Sequence, residues 1–237
     1  MQPKSTFCLI LALLIACSSF GQSKKRKRLR QDEIFEAGLL IGMNFSQLDG
    51  DFFTGFDKLG WYGGARGIIN FTQRSSLNIE MLYSQKGSKI PHGVRLESNI
   101  EVRDRLISLN YIDVPLLFKT KLTTNPRSAF LETGPVLSRL LKSAVEERER
   151  ARIPGTSYKE IEQEFKTLDV SWMIGIGINP VEHIDLSLRY SYSFSKLYLN
   201  EDYEAPFAFS SQTRQVAFLR NYFASVVLSY DLFSAKR

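Results

Sequence analysis

Cysteine is nearly missing from this chain: Cys8 and Cys17 are the only two, and both lie near the N-terminus. A mature chain cut after them has no disulfides, no thiol chemistry and no cysteine-based zinc site. Histidine is equally scarce, with His92 and His183 alone. That leaves little for a nucleophile, base and orienting group gathered within hydrogen-bond reach, so catalysis is not expected. No Gly-rich phosphate loop opens a helix, and no cofactor is expected. Past the N-terminus no run of 18 apolar residues occurs, which rules out a spanning helix. The mean hydropathy of −0.16 leaves a β-barrel open, because only alternate barrel residues face lipid.

The first 21 residues have the form of a secretory signal. Lys4 precedes an apolar stretch from Phe7 to Ala16, and Ser19 and Gly21 put small residues before a cut at Gln22. A second pattern, Leu14-Ile15-Ala16-Cys17, has the form of a lipoprotein box that would leave Cys17 acylated. The pI of about 9.3 suggests a nucleic-acid partner, but the charge distribution excludes one. Seven of the 31 basic residues are Lys4, Lys24, Lys25, Arg26, Lys27, Arg28 and Arg30, so from residue 31 on 24 basic face 25 acidic residues. Residues 22–34 read as a basic, solvated periplasmic tail, and the body is neutral.

From residue 35 to 233 the pattern has a period of two. In a strand, side chains alternate between faces, so apolar residues at every second position mark one face. Leu168, Val170, Trp172, Ile174, Ile176 and Ile178 interleave with Asp169, Ser171, Gly175 and Asn179. Ile184, Leu186, Leu188, Tyr190, Tyr192 and Phe194 interleave with Asp185, Ser187, Arg189 and Ser191. Six further runs begin near Phe35, Trp61, Leu77, Tyr111, Leu131 and Asn221; in the fifth, Arg139 falls on the apolar face. Connections at 47–60, 72–76, 87–105, 120–127, 142–167, 180–183 and 198–220 alternate long and short. Strict alternation sends every long loop to one end, as in outer-membrane barrels.

A soluble barrel would alternate too, with its apolar face inward. Here the polar face is mostly Gly, Ser, Asn and Asp, residues that fit the filled interior of an eight-stranded barrel. Aromatics on the apolar face gather at its ends. Phe45, Trp61, Tyr83, Tyr192, Phe194 and Tyr222 fall at the loop end, and Phe35, Phe71, Phe118 and Tyr230 at the turn end. Two such girdles are expected in a bilayer. The predicted fold is therefore all-β: an eight-stranded antiparallel up-and-down transmembrane barrel, with both termini at the periplasmic turn end. Its partner is then outer-membrane lipid.

Five segments carry a family resemblance: Gly42-Met43-Asn44-Phe45-Ser46; Glu80-Met81-Leu82-Tyr83-Ser84-Gln85-Lys86-Gly87; Tyr111-Ile112-Asp113-Val114-Pro115-Leu116-Leu117-Phe118-Lys119; Gly134-Pro135-Val136-Leu137-Ser138; and Leu188-Arg189-Tyr190-Ser191-Tyr192. Together the sequence resembles the PorT-like outer-membrane β-barrel proteins of Bacteroidetes. That resemblance implies an eight-stranded barrel in a Gram-negative outer membrane; the member for which the family is named is linked to protein secretion, and the resemblance does not fix a role for this chain. It departs from the usual barrel ending, since Ser234-Ala235-Lys236-Arg237 follow Phe233.

Inside such a barrel Arg66, Glu80, Asp113, Glu132 and Arg189 point into the lumen, where a charge sealed from water is costly unless paired. Some of Arg66, Arg189, Glu80 and Glu132 are expected to form an ion-pair network that plugs it. Residues 142–166 carry six acidic and six basic residues and read as a solvated loop, with a short helical excursion as the alternative. In the last long loop Phe207, Phe209 and Phe218 read equally as a docking surface and as an extension of the strands. The expected role is a non-enzymatic anchor or interaction protein that meets an envelope partner through its outer loops. The alternatives are a small channel and a loop-site enzyme acting on lipid or peptide.

Overall fold

The computed structural model describes residues 34–51, 55–90, 94–95, 101–102, 105–123, 127–147, 158–200 and 216–233. The expectations for the leader, most of the basic tail, His92, Phe207, Phe209 and the last four residues fall outside them. In chain order the strands are β1 (Phe35–Asp49), β2 (Lys58–Asn70), β3 (Ser75–Ile90), β4 (Val94–Arg95), β5 (Glu101–Val102), β6 (Arg105–Lys121), β7 (Ala129–Glu147), β8 (Leu168–Val181), β9 (Ile184–Ser193), β10 (Tyr198–Leu199) and β11 (Phe218–Phe233). A short helix, α1 (Tyr158–Ile161), and a 3-10 turn (Glu162–Glu164) lie between β7 and β8.

Eight of these strands close a ring. Each pairs antiparallel with the next in the order β1, β2, β3, β6, β7, β8, β9, β11, and β11 returns to β1 from Asp49↔Arg220 to Ala37↔Phe233. The ninth strand of the sheet, β10, pairs only with β11, and β4 pairs with β5 in a separate hairpin. This is an all-β, up-and-down antiparallel barrel. Closure leaves no open edge in the ring, which a backbone in hydrocarbon requires.

Period-two alternation decides which way each side chain points. On β8 the row from Leu168 to Ile178 is exposed, with Ile174 at 54%, while Asp169, Ser171 and Met173 are buried. The same parity runs round the ring through Leu39, Ile41, Met43, Met81, Leu116, Leu137, Leu188, Val226 and Leu228, all exposed. An unbroken apolar outer belt is stable only against acyl chains.

At the loop end the strands outrun the sequence expectation. Residues 87–105 and 142–167 read as loops, yet β3 continues to Ile90, β6 starts at Arg105 and β7 reaches Glu147. The reason is an inversion of hydrophobic parity. Below this level apolar residues face out; above it Ile107, Leu109, Tyr111 and Val145 face in and are buried, while Ser108 and Asn110 take the outer positions. Tyr158, Ile161 and Phe165 of the long β7–β8 connection pack onto them, with Leu48, Leu197, Tyr198, Val216 and Leu219. The charged loop of 142–166 is thus strand and apolar cap over its described part. A pattern search for apolar residues facing out passes over such a segment. One irregularity accompanies the switch: a bulge shifts the β6–β7 register between Asn110 and Tyr111.

The belt makes a direct prediction. Ile174→Arg, near mid-belt, should cost about 2–4 kcal/mol of folding free energy in lipid vesicles, read from denaturant titrations. An unchanged midpoint would mean that this face does not meet hydrocarbon.

Candidate functional site in the barrel interior

The interior holds charge in rows stacked from the turn end to the loop end. The central row is built on Arg189 of β9, 1% exposed. Its Nε donates to Glu132 Oε1 at 2.7 Å, Nη1 to Glu80 Oε2 at 2.7 Å and to the Tyr62 hydroxyl at 3.2 Å, and Nη2 to Glu80 Oε1 at 2.9 Å and Glu132 Oε2 at 3.3 Å. A guanidinium has five N–H donors in a planar fork, and here each has an acceptor. Two bidentate carboxylates on β3 and β7 therefore hold one cation of β9 across the lumen.

Gly175 makes this row fit. It is the Cα partner of both Arg189 and Glu132. A Cβ there would lie 2.9 Å from Glu132 Cγ and 3.1 Å from Arg189 Cγ. Two apolar clusters pack the lumen beside the ion pairs: Leu40, Tyr62, Leu82 and Val227, and Leu117, Val136, Met173 and Phe223. The inner face is thus less uniformly polar than the sequence pattern implied.

Of the five lumen charges named from the sequence, Glu80, Glu132 and Arg189 form this row, and Arg66 and Asp113 pair elsewhere. Arg66 is the Cα partner of Glu80, but both Glu80 oxygens are taken by Arg189. Arg66 instead turns to the turn end, where Nη2 meets Asp185 Oδ2 at 2.8 Å and Asp231 Oδ1 at 2.6 Å. Lys119 joins Asp185 at 2.5 Å, and Asn179 donates a hydrogen bond to the same residue. Gly38 leaves room here, since a Cβ would come within 2.8 Å of Asp231 Oδ1. Asp113 lies above the central row and pairs with Lys86 at 2.8 Å. The Lys86 ammonium also sits 4.7 Å from the ring centroids of Tyr111 and Phe223. In the apolar cap Arg105 meets Asp51 at 3.1 Å and lies 3.9 Å over the Tyr158 ring. Burial pushes the Tyr158 phenol well above its ordinary range.

Lys86, Lys119, Asp185, Asp231, Asp51 and Arg105 were not singled out by the sequence. Four of these had a signal: Lys86, Lys119, Asp185 and Asp231 share the polar parity of their strands, so a charge count per face finds them. Asp51 and Arg105 lie where the sequence read loops.

The outer aromatics divide. Phe35, Phe71, Phe118 and Tyr230 are exposed at the turn end, and Trp61, Tyr83 and Phe194 at the loop end. Phe45, Tyr192 and Tyr222 are half-buried. Tyr222 packs against the edge of Phe56, ring centroids 5.4 Å apart, and Tyr192 accepts a hydrogen bond from Arg220. Phe218 belongs to β11 opposite Leu199, so it extends the strand. Among the described residues no group of three or more His, Cys, Asp or Glu could hold a metal ion.

With a closed ring, an apolar exterior and a filled interior in place, one comparison decides the family. The model of the outer membrane protein beta-barrel domain matches residues 20–199. The chain belongs to this family. It is an outer-membrane β-barrel of the Gram-negative type. No curated protein matches it. Among solved structures it is similar to Ail, the attachment invasion locus protein of Yersinia pestis (10% identity, 84% of this chain and 99% of that one, TM-score 0.43). It is also similar to Neisserial surface protein A (10%, 82% and 96%, 0.44) and to the N-terminal β-barrel domain of Pseudomonas aeruginosa OprF (6%, 83% and 98%, 0.36). At such identities none of their activities passes to this chain.

The central row yields a stability prediction. Arg189→Ala strands two buried carboxylates and should lower stability by about 3–5 kcal/mol. Gly175→Ala, which overfills the same row, should cost about 1–3 kcal/mol. Both read out as an earlier loss of the folded, heat-modifiable band in detergent gels; an unchanged Arg189→Ala transition would contradict the account.

Proposed function

We propose that this outer-membrane barrel is a non-enzymatic anchor that presents its loop end to another envelope component, as an accessory of a secretion or envelope assembly. The observation that carries this reading is the filled lumen. Arg189 spans from β9 to Glu80 on β3 and Glu132 on β7, and the apolar cap of Tyr158, Ile161 and Phe165 packs over the loop-end mouth. A barrel so filled has lost its aqueous path and offers its outer surfaces instead. The ion-pair rows act as the plug. A PorT-like place within the family is supported by the five motif segments, which fall on β1, β3, β6, β7 and β9.

The orientation is part of the proposal. The first and last described residues, Ile34 and Phe233, lie at the turn end. Short turns face the periplasm in outer-membrane barrels, so both termini lie there and the capped loop end faces outward.

Two measurements test the reading. In planar bilayers the purified full chain should give no unitary current steps; regular steps would favour the channel reading. Cross-linking in native outer membranes should recover a defined protein partner, with adducts mapping to the loop end. Adducts confined to the turn end would overturn the proposed presentation.

A further inference from the structure

The outer surface at the loop-end edge of the apolar belt is electrically lopsided. At the loop ends of four neighbouring strands a cation lies two residues from an outward-facing apolar residue. Arg139 follows Leu137 within β7, Lys166 lies two residues before β8, Lys196 follows Phe194 just past the end of β9, and Arg220 precedes Tyr222 within β11. On β2, β3 and β6 the matching outer position is neutral or acidic, with Asp57 beyond Leu59, Gln85 beyond Tyr83 and Asn110 beyond Ile112, and on β1 the residue two past Phe45, Gln47, is buried. Lys166, Lys196 and Arg220 lie beyond the belt, and Arg139 sits lower, in register with Leu168.

These cations also differ from those inside. Arg66, Lys86, Arg105, Lys119 and Arg189 each have a carboxylate within ion-pair distance. Among the described residues, no ion pair is formed by Arg139, Lys166, Lys196 or Arg220. Aromatic rings hold two of them instead. The Arg220 guanidinium lies 5.3 Å from the Tyr192 centroid and 5.6 Å from that of Phe218, and the Lys196 ammonium lies 5.4 Å from the same Phe218 ring. Arg220 Nε is sealed from water without a hydrogen-bond partner. Asp49 is the Cα partner of Arg220 but forms no ion pair with it. The Lys166 amide donates to the Leu197 carbonyl at 2.8 Å, which sets Lys166 beside Lys196.

We propose that this arc binds the phosphate headgroups of anionic lipid in the leaflet at the loop end, with Arg220 and Lys196 as its centre. The height selects the ligand. A headgroup whose acyl chains lie along Leu168 and Phe194 brings its phosphate to the level of Lys166, Lys196 and Arg220, and supplies the countercharge that the described residues do not. A free anion gains nothing from the belt below. A lipid-facing arc on β7, β8, β9 and β11 also leaves β1, β2, β3 and β6 as the less lipid-committed side.

The test uses the full chain in nanodiscs of phosphatidylcholine with a minority of phosphatidylglycerol, counting retained lipids by native mass spectrometry. The wild type should retain phosphatidylglycerol well above its bulk share. Each cation near an anionic surface strengthens binding about fivefold, so Arg220→Gln with Lys196→Gln should return retention towards the bulk ratio. Lys58→Gln with Lys89→Gln, on the other side, should leave it unchanged. Should the double variant misfold, Arg220→Lys must keep the enrichment and Lys166→Gln with Lys196→Gln must lose it. Bulk-ratio retention by the wild type, or equal losses in both double variants, overturns the proposal. So does a thermal upshift from inorganic phosphate in pure phosphatidylcholine equal to that from phosphatidylglycerol, which would mark a free-anion site.

Discussion

Hydrocarbon offers the peptide group no hydrogen-bond partner, and the return of β11 to β1 is what lets this chain tolerate that. Once the ring is closed, each residue has only two places to point. One face meets acyl chains and must be apolar. The other meets the narrow interior of an eight-stranded ring, too small for bulk water, and must be filled by side chains. Alternation, the two apolar clusters and the stacked ion pairs all follow from that closure.

Charges in such an interior need their partners chosen closely, because an uncompensated one is far costlier than a matched pair is favourable. Three of the cations here also join strands that are not neighbours. Arg189 links β9 to β3 and β7, Arg66 links β2 to β9 and β11, and Lys119 links β6 to β9. A one-residue slip of any of these strands would turn its charge towards lipid. The ion pairs thus contribute less through net stability than by making one register far better than its alternatives.

Much of the barrel was legible because its code is local. Leu168 to Ile178 and Ile184 to Phe194 state their faces residue by residue, and the alternation of connection lengths orders the ends. The inward placement of Glu80, Glu132 and Arg189 follows from the same parity. Their grouping, and the departure of Arg66 to Asp185 and Asp231, was not legible. Parity gives a side chain's face but not its height relative to strands on the opposite wall, and a tilted ring shifts those heights. The cap was missed for another reason. Ile107, Leu109 and Val145 obey the period of two with its sign reversed, and a sign reversal in one sequence looks like the end of a strand.

That reversal fixes how deep the protein sits. From Ile112 downward the outer positions of β6 are apolar, with Val114, Leu116 and Phe118, and the two just above it, Asn110 and Ser108, are polar. Sliding the barrel down by one residue pair would drag Asn110 into hydrocarbon while the cap beneath Tyr158 gained nothing. Sliding it up would strip acyl chains from the turn-end aromatics Phe35, Phe71 and Phe118. The molecule has a waterline. In a bilayer thicker or thinner than its belt, it is the lipid that deforms around the wall and not the wall that shifts.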